Sequence, residues 1–451
     1  MTPPVTVPVR RLLALRRDPL NTFAALSRAH GDIVRLPVPC QPIYLIAHPN
    51  HVRELLVTQA ARFGRGLAIQ RAQIVLGQGL LTSDGDGHLR HRRLMQPSFG
   101  QRDIEAHVPA IAAAVIEHRS RWADGAPVDV AREMAVMILS AVAKVLLGED
   151  IGASVATMAG ALDELLDFSN RLVLPLSGIW TTLPTPATRR ARAALATLDA
   201  MLYELIDRRR RRGPGRDVLS ALMHARDPDT GGAGLTDRQL RDETMTLLLA
   251  GHETTACALT WTWYLLATHP AIDDRLRRDV RTVLGDRPPV EGQIASLRYA
   301  EQVLAEAMRL YPPVWSVGRR AREDVTIGGM RVPKGALVVA SQWTIQRDQR
   351  FWPDPLRFDP DRFAGADRPR RPRPAYFPFG DGPRRCIGES LAWTVGVTAL
   401  SALVGTTRFA PMPATDIAPL SYLFLLYPGH RPASARSSPL RRGLPMRVHQ
   451  V

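Results

Sequence analysis

Apolar positions recur at three- and four-residue spacing over residues 107–122, 134–147, 154–168 and 188–212, the period of a helix that buries one face. The longest such run is 237–268. Thr236 stands before it as an N-cap with Gln239 three residues on, the two halves of a capping box, and His269-Pro270 end it. At about 1.5 Å per residue this rod is about 48 Å long, so it is expected to run through the whole body of the protein. A period of two appears in residues 32–38, where Val34, Leu36 and Val38 alternate, and in 43–48 with Ile43 and Leu45. These predict a strand pair whose connection holds Pro39 and Pro42. A second pair is expected at 325–327 and 330–332, turning at Gly328-Gly329, with 336–340 continuing it. After Trp352, prolines 353, 355, 360, 372, 374 and 378 remove any period and predict ordered coil, before a last helix from about 387 to 404. No repeat or low-complexity linker divides the chain. The expected fold class is mainly α with small β-sheets, as one domain over residues 1–451. Its helix-rich parts lie at about 80–310 and 385–405, and its β-rich parts at about 30–60 and 320–345.

The helical pattern is broken once inside the longest run. The apolar stretch 247–250 gives way to Gly251-His252-Glu253-Thr254-Thr255. A mid-helix glycine costs about 1 kcal/mol relative to alanine, and a buried carboxylate costs more unless it is paired. Such a local conflict marks the place where function is to be sought. A second irregular stretch is F-P-F-G-D-G-P-R-R-C-I-G, from Phe377 to Gly388. Gly380 and Gly382 permit a tight path with positive φ, and Gly388 lets the next helix begin close against a flat object. Cys386 lies just ahead of that helix, where the positive end of the dipole favours thiolate over thiol. One soft, anionic ligand in a glycine loop suits an iron that keeps its opposite axial position open.

Composition narrows the classes. The 451 residues are 45% apolar and 23% charged, which excludes disorder as the main state. The net charge is +16, and the cations are almost all arginine, with lysine only at 144 and 334. The densest run, Arg208 to Arg212 with Arg216, follows the helical positions Leu195, Leu198, Leu202, Leu205 and Ile206 and precedes Gly213-Pro214-Gly215. It reads as a solvated helix exit. No aromatics interleave with it, so nucleic-acid binding is not expected. Three cysteines make neither a disulfide framework nor a structural zinc site. Cys257 reads as packing, and Cys40 carries no signal. No signal-peptide core or run of about 18–20 apolar residues is present. A cytoplasmic protein without a membrane span is expected.

The string Phe379, Gly382, Arg384, Cys386, Gly388 resembles the heme-binding signature of the cytochrome P-450 family, F-x-x-G-x-R-x-C-x-G, and further motifs follow the family's order over essentially the whole chain. The resemblance implies the P-450 fold, a long central helix over a buried heme b (iron protoporphyrin IX), with Cys386 as the iron ligand. A-G-H-E-T-T, Ala250 to Thr255, resembles the oxygen-activation segment, in which Glu253 and Thr254 form the acid–alcohol pair. E-A-M-R supplies Glu306 and Arg309, which in the family join an arginine of the later coil, here Arg362 in F-D-P-D-R-F, as a buried structural triad. Asp361 stands where the family more often has Glu. H-L-R-H-R resembles the family's propionate-binding helix and assigns His88 and Arg92 to the heme carboxylates, together with Arg384. Arg319 is a further candidate with Arg320 as a near miss, while His91 is expected to face solvent.

The implied reaction is monooxygenation, in which one oxygen atom of O2 enters a C–H bond of a compact hydrophobic substrate. Electrons would come from a ferredoxin and its reductase, which the excess arginine suits by steering an acidic partner, and the chain would act as a monomer. By family position the distal pocket draws on residues 63–81, 247–250 and 313–317, with Leu247, Ala250, Val314, Trp315 and Val317 as substrate residues. These are apolar, with no cation placed for a carboxylate. Y-P-P-V-W-S-V-G-R-R-A and A-S-Q-W-T-I-Q-R-D resemble actinobacterial members that oxidise sesquiterpenes in secondary metabolism. The alternative within the family is a fatty-acid or polyketide hydroxylase, for which Arg65 and Arg71 are the carboxylate-binding candidates. A heme-binding sensor without turnover is the alternative outside it. Either 423–428 or 439–446 is expected to be the hairpin that touches substrate.

Overall fold

The computed structural model describes the chain except residues 1–4, 7–13, 16, 37, 39–40, 174–180, 182, 366–373, 414, 423–424, 433–440 and 451. Its contacts gather into two compact units. One comprises Met1–Leu67, Ala305–Cys386 and Pro419–Tyr427, and the other Ala68–Leu304, Ile387–Ala418 and Pro428–Val451.

The first unit is built on a six-stranded sheet in the order Val5–Thr6, Ile33–Leu36, Ile43–Ile46, Leu337–Ser341, Ser316–Ala321, Phe63–Arg65. The expected strand pair is present: Ile33–Leu36 runs antiparallel to Ile43–Ile46, with Val34 opposite Leu45. The two faces of the sheet fill separate cores. Val34, Leu36 and Leu45 pack with Leu20, Phe23 and Leu26 of the helix Pro19–His30, while Tyr44, Ile46, Val338 and Ala340 pack with Ile327 and Phe377. The hairpin Val325–Ile327/Met330–Val332 also forms as expected. The continuation at 336–340 does not join it. Leu337–Ser341 lies inside the large sheet, parallel to Ile43–Ile46 and antiparallel to Ser316–Ala321. A strand with apolar side chains on both faces needs cover on both, which an exposed hairpin cannot supply. Beyond Trp352 the chain is irregular but anchored, with Trp352, Phe358 and Phe363 buried. Cys40, Pro39 and Pro372 lie outside the described residues.

In the second unit the central helix spans Asp237–Thr268 with its capping box formed. It packs on the helices Val130–Leu147, Pro186–Arg212 and Glu389–Val404. The helix read from 134 begins a turn earlier, because the Asp129 side chain accepts the Ala131 N–H at 3.1 Å and starts it there. The arginine run closes Pro186–Arg212 as a helix exit, with four of its five groups on carboxylates. Arg208 meets Glu204 at 2.6 Å, Arg209 meets Asp217 at 2.7 Å, Arg210 meets Asp237 at 2.6 Å, and Arg212 bonds Glu149. At the C-terminal end, Gly429 and His430 pair with Arg442 and Arg441. Residues 423–424 of one hairpin candidate and 439–440 of the other lie outside the described residues. In the first unit, Leu425 bridges Val314 and the Leu426 N–H donates to the Pro313 carbonyl at 2.9 Å. Among the described residues no helix is long and apolar enough to cross a membrane.

Candidate active site

The cysteine loop is closed by its own backbone. Gly380 N–H donates to Phe377 O at 3.0 Å, Arg385 N–H to Gly382 O at 3.0 Å, and Cys386 N–H to Phe379 O at 2.9 Å. Gly380 and Gly382 both take φ of +70°, as the tight path required. A Cβ on Gly382 would also stand 1.8 Å from the Leu56 carbonyl oxygen, so two independent constraints demand glycine there. The loop ends on an exposed Cys386, with Phe379 and Arg384 half-buried behind it. Gly388, the cap of the helix Glu389–Val404, is different. Its φ is −87° and its Cβ position is 4.0 Å from the Phe99 ring, so no contact among the described residues requires glycine.

In the same unit, Phe63–Arg65 runs antiparallel to Ser316–Ala321, which sets Arg65 directly opposite Arg319. Both are buried, at 8% and 7% exposure. Like charges facing each other across a strand pair repel, and a buried cation needs counter-charge. An anion that approached both would meet two cations at once. Strand parity also decides between neighbours, since Arg320 points to the other face and is exposed. Sequence reasoning placed Arg65 at a pocket mouth and missed this pairing, because only the strand register reveals it.

In the second unit, His88 and Arg92 lie one turn apart on the helix Gly85–Met95, His88 buried and Arg92 half-buried. His91 does not face solvent as expected. It is 6% exposed, with Nδ1 on the carboxyl of Glu243, which is fully buried and also accepts the Leu80 N–H at 3.0 Å. The central helix supplies a charged partner that no local pattern announces, and the imidazole turns inward to meet it.

The middle of the central helix is open along one stripe. Leu247, Gly251 and Thr254 are half-buried and Ala250 is exposed, while Leu248, His252, Glu253 and Thr255 are buried. Spacings of three, four and seven put the open positions on one face. Thr254 Oγ1 donates to the Ala250 carbonyl at 2.7 Å. His252 turns Nδ1 to the Leu248 carbonyl at 2.8 Å and Nε2 to Glu253 Oε2 at 3.0 Å. Burial alone would lower the His252 pKa, but the hydrogen bond and charge of Glu253, with Leu248 O and Asp163 adding, hold it above the ordinary imidazole value. Cys257 is buried packing, as expected.

Gly251 has room for a side chain, since its Cβ position meets Val142 Cγ1 at an ordinary 3.5 Å. Gly251→Ala is therefore expected to raise stability by about 1 kcal/mol through helix propensity while lowering turnover, because the methyl group narrows the stripe. Thermal unfolding and product assays check the pair of effects; a lower melting temperature would show that packing requires the glycine.

Of the expected substrate residues, Val314 and Val317 are half-buried. Trp315 is more buried than either. It is 6% exposed and lies 5.6 Å from the Phe23 ring, in the core with Leu20, Leu26 and Leu45. The triad is assembled within the first unit. Arg309 Nε lies 2.6 Å from Glu306 Oε2, and Arg362 Nε lies 3.3 Å from Glu306 Oε1, with Glu306 and Arg309 both at 0% exposure.

The family model for cytochrome P450 matches residues 2–429. The chain belongs to the cytochrome P450 family. This P450 is 37% identical over 410 residues to cyclooctatin synthase of Streptomyces melanosporofaciens, covering 90% of this chain and 89% of that protein. It is 34% identical over 431 residues to pentalenene oxygenase of Streptomyces avermitilis, covering 95% of each. The crystal structure of the cytochrome P450DA heme domain superposes with a TM-score of 0.87 at 25% identity, covering 100% of this chain and 98% of that one. The P450 fold, mainly helical with small sheets, is thus that of the whole chain. The P450 is a monooxygenase, an oxidoreductase that incorporates oxygen from O2, with a heme-iron cofactor and electrons from a redox partner. Taken unit by unit, the residues present suit that cofactor: the first holds an exposed thiol in a glycine loop and two buried arginines opposite each other on paired strands, and the second holds a helix stripe of small and apolar residues with an acid and an alcohol next to it in the chain.

Proposed function

We propose that residues 1–451 act as a single P450 domain that binds heme b through Cys386 and hydroxylates a terpenoid hydrocarbon, of sesquiterpene size, in secondary metabolism. The observation that carries the reading is the exposed Cys386 thiol at the end of its closed loop. A carbon monoxide spectrum of the dithionite-reduced protein tests it: a thiolate-type Soret band is expected, and an imidazole-type band or a colourless protein that takes up no hemin would end it.

When bound, heme supplies reductive activation of dioxygen and insertion of one of its atoms into a C–H bond. The chain's residues do the rest. Cys386 provides an anionic sulfur at the start of a helix, where the dipole favours the thiolate. Phe379 and Gly388 flank it, Gly388 allowing a flat ring system to approach. His88, Arg92, Arg319 and Arg384, joined by Arg65, would hold the two propionates, to which cationic donors give charge-assisted hydrogen bonds. Glu253 and Thr254 deliver protons, the hydroxyl orienting them and the carboxyl resupplying them. Glu306, Arg309 and Arg362 are structural.

Leu247, Ala250, Val314 and Val317 give the substrate an apolar lining, with Trp315 packed behind. The names of cyclooctatin synthase and pentalenene oxygenase support an isoprenoid substrate. If Arg65 joins Arg319 on the propionates, Arg71 is the cation left for the carboxylate of a fatty-acid substrate. We further propose a cytoplasmic monomer served by a ferredoxin and ferredoxin reductase. Thr254→Ala is expected to lower product formation about 100-fold, the low end of what a positioned proton donor contributes, with electron consumption continuing as peroxide is released. Product and NADH measured together check this; unchanged coupling would remove Thr254 from the proton path.

A further inference from the structure

His252 has no part in the acid–alcohol pair, yet its geometry carries a proton count. Nδ1 faces the Leu248 carbonyl at 2.8 Å, and a carbonyl only accepts, so Nδ1 carries a hydrogen. In a neutral imidazole Nε2 is then a bare acceptor. It faces Glu253 Oε2 at 3.0 Å, and an ionised carboxylate is also only an acceptor. Two acceptors at that separation repel. The contact therefore needs one further proton between Nε2 and Oε2, beyond those of a neutral histidine and an ionised glutamate. His252 is 2% exposed and Glu253 7%, so this proton is shielded from bulk water, one residue from Thr254.

We propose that His252 is a positioning residue that holds, on Nε2, the proton that Glu253 passes toward Thr254. The inference rests on the monooxygenase reading of this site. In the step, the Nε2–H bond breaks and an O–H bond forms on Glu253 Oε2. The imidazole is left neutral with Nδ1–H still on Leu248, and the carboxyl is left neutral and able to donate. No electron moves in the transfer. The electrons and dioxygen that consume the proton belong to the established activity, and the imidazole regains one proton from solvent for each one delivered.

The charged groups facing the pair support holding a cation there. Asp163, on the helix Val155–Ser169, acts on both His252 and Glu253, and Arg442 Nη2 bonds Asp163 Oδ1 at 2.7 Å. Asp163 keeps 52% of its side chain accessible, so it stands where bulk protons arrive. Its pKa is raised, first by the loss of water around it, with Glu253's charge adding and Arg442 opposing.

The direct test is nitrogen NMR of the full-length heme-loaded protein, labelled at histidine with nitrogen-15 and held as the diamagnetic ferrous carbon monoxide form. His252 is assigned by its loss in His252→Gln. At pH 7.5 both ring nitrogens of His252 are expected to be protonated, and Glu253→Gln is expected to convert the ring to the neutral Nδ1–H form. A ring that is already neutral in the unaltered protein, or one protonated on Nε2 alone, overturns the proposal. The second readout is coupling. His252→Gln keeps a hydrogen-bond donor to Glu253 but has no proton to give, so product per NADH should fall about 10-fold or more, the solvent deuterium effect should rise, and the substrate-induced spectral shift should stay. Unchanged coupling and isotope effect in His252→Gln also overturn it. Failure of the underlying reading shows differently, as an imidazole-type carbon monoxide spectrum. That result would remove delivery to dioxygen while the nitrogen spectra still report on the pair.

Discussion

Arg309→Ala is expected to yield little soluble, heme-bearing protein. Every donor of this guanidinium is engaged within a fully buried setting. Nε and Nη2 make a bidentate pair with Glu306 at 2.6 and 2.8 Å, Nη1 donates to the carbonyls of Gln346 at 2.8 Å and Pro355 at 2.7 Å, and Nη2 donates to that of Arg357 at 3.1 Å. The group also sits 4.9 Å from the centre of the Trp352 ring. Glu306 in turn accepts the Asp359 N–H at 3.0 Å. The pair therefore ties one helix to three separate points of the irregular coil that leads to the cysteine loop. Alanine would leave Glu306 as a buried charge short of its main partner, which costs about 3–5 kcal/mol, and would strip three carbonyls of a donor. Against a total stability of about 5–15 kcal/mol that is a large share. Arg309→Lys should fall between, because an ammonium restores charge but not the fork. Soluble yield and thermal unfolding measure the effect, and an alanine variant that melts within a few degrees of the unaltered protein would refute the role.

Cys386→Ser should have the opposite character, with little effect on folding and a large effect on chemistry. The side chain is exposed and the loop is held by backbone bonds, so the Cys386 N–H to Phe379 O contact persists with serine in place. On the proposed assignment, what would be lost is a soft, anionic ligand for the heme iron, for which a neutral hydroxyl is a poor substitute. Loss of second-shell partners alone costs metal sites about 10–100-fold, so loss of the ligand itself should lower product formation by about 100-fold or more. The thiolate-type carbon monoxide band should vanish while the unfolding temperature of the heme-free chain stays close to that of the unaltered protein. A serine variant that keeps the band would move the ligand elsewhere.

These two expectations were legible at different depths. The glycine loop, its cysteine and the capped central helix could all be read directly, because each depends on residues close together in the chain. Positive φ calls for Gly380 and Gly382, a capping box calls for Thr236 and Gln239, and a 3.6-residue period sets the buried face. The pairing of Glu306 with Arg309 was visible as a spacing of three, but its burial and its carbonyl partners 37 to 48 residues away were not.

What sequence alone determined about this protein is therefore its local chemistry: which helix is the longest, which loop presents a thiol, and which acid stands beside which alcohol. Tertiary structure decided the partners. It put Leu337–Ser341 in the large sheet, set Arg65 against Arg319 through strand register, turned His91 inward to Glu243, and withdrew Trp315 into the core against Phe23. The reason is physical. Torsional preference and helical period act between neighbours, whereas which face of a strand is covered, and whether a charge meets its counter-charge, depends on segments that meet only when the chain has folded.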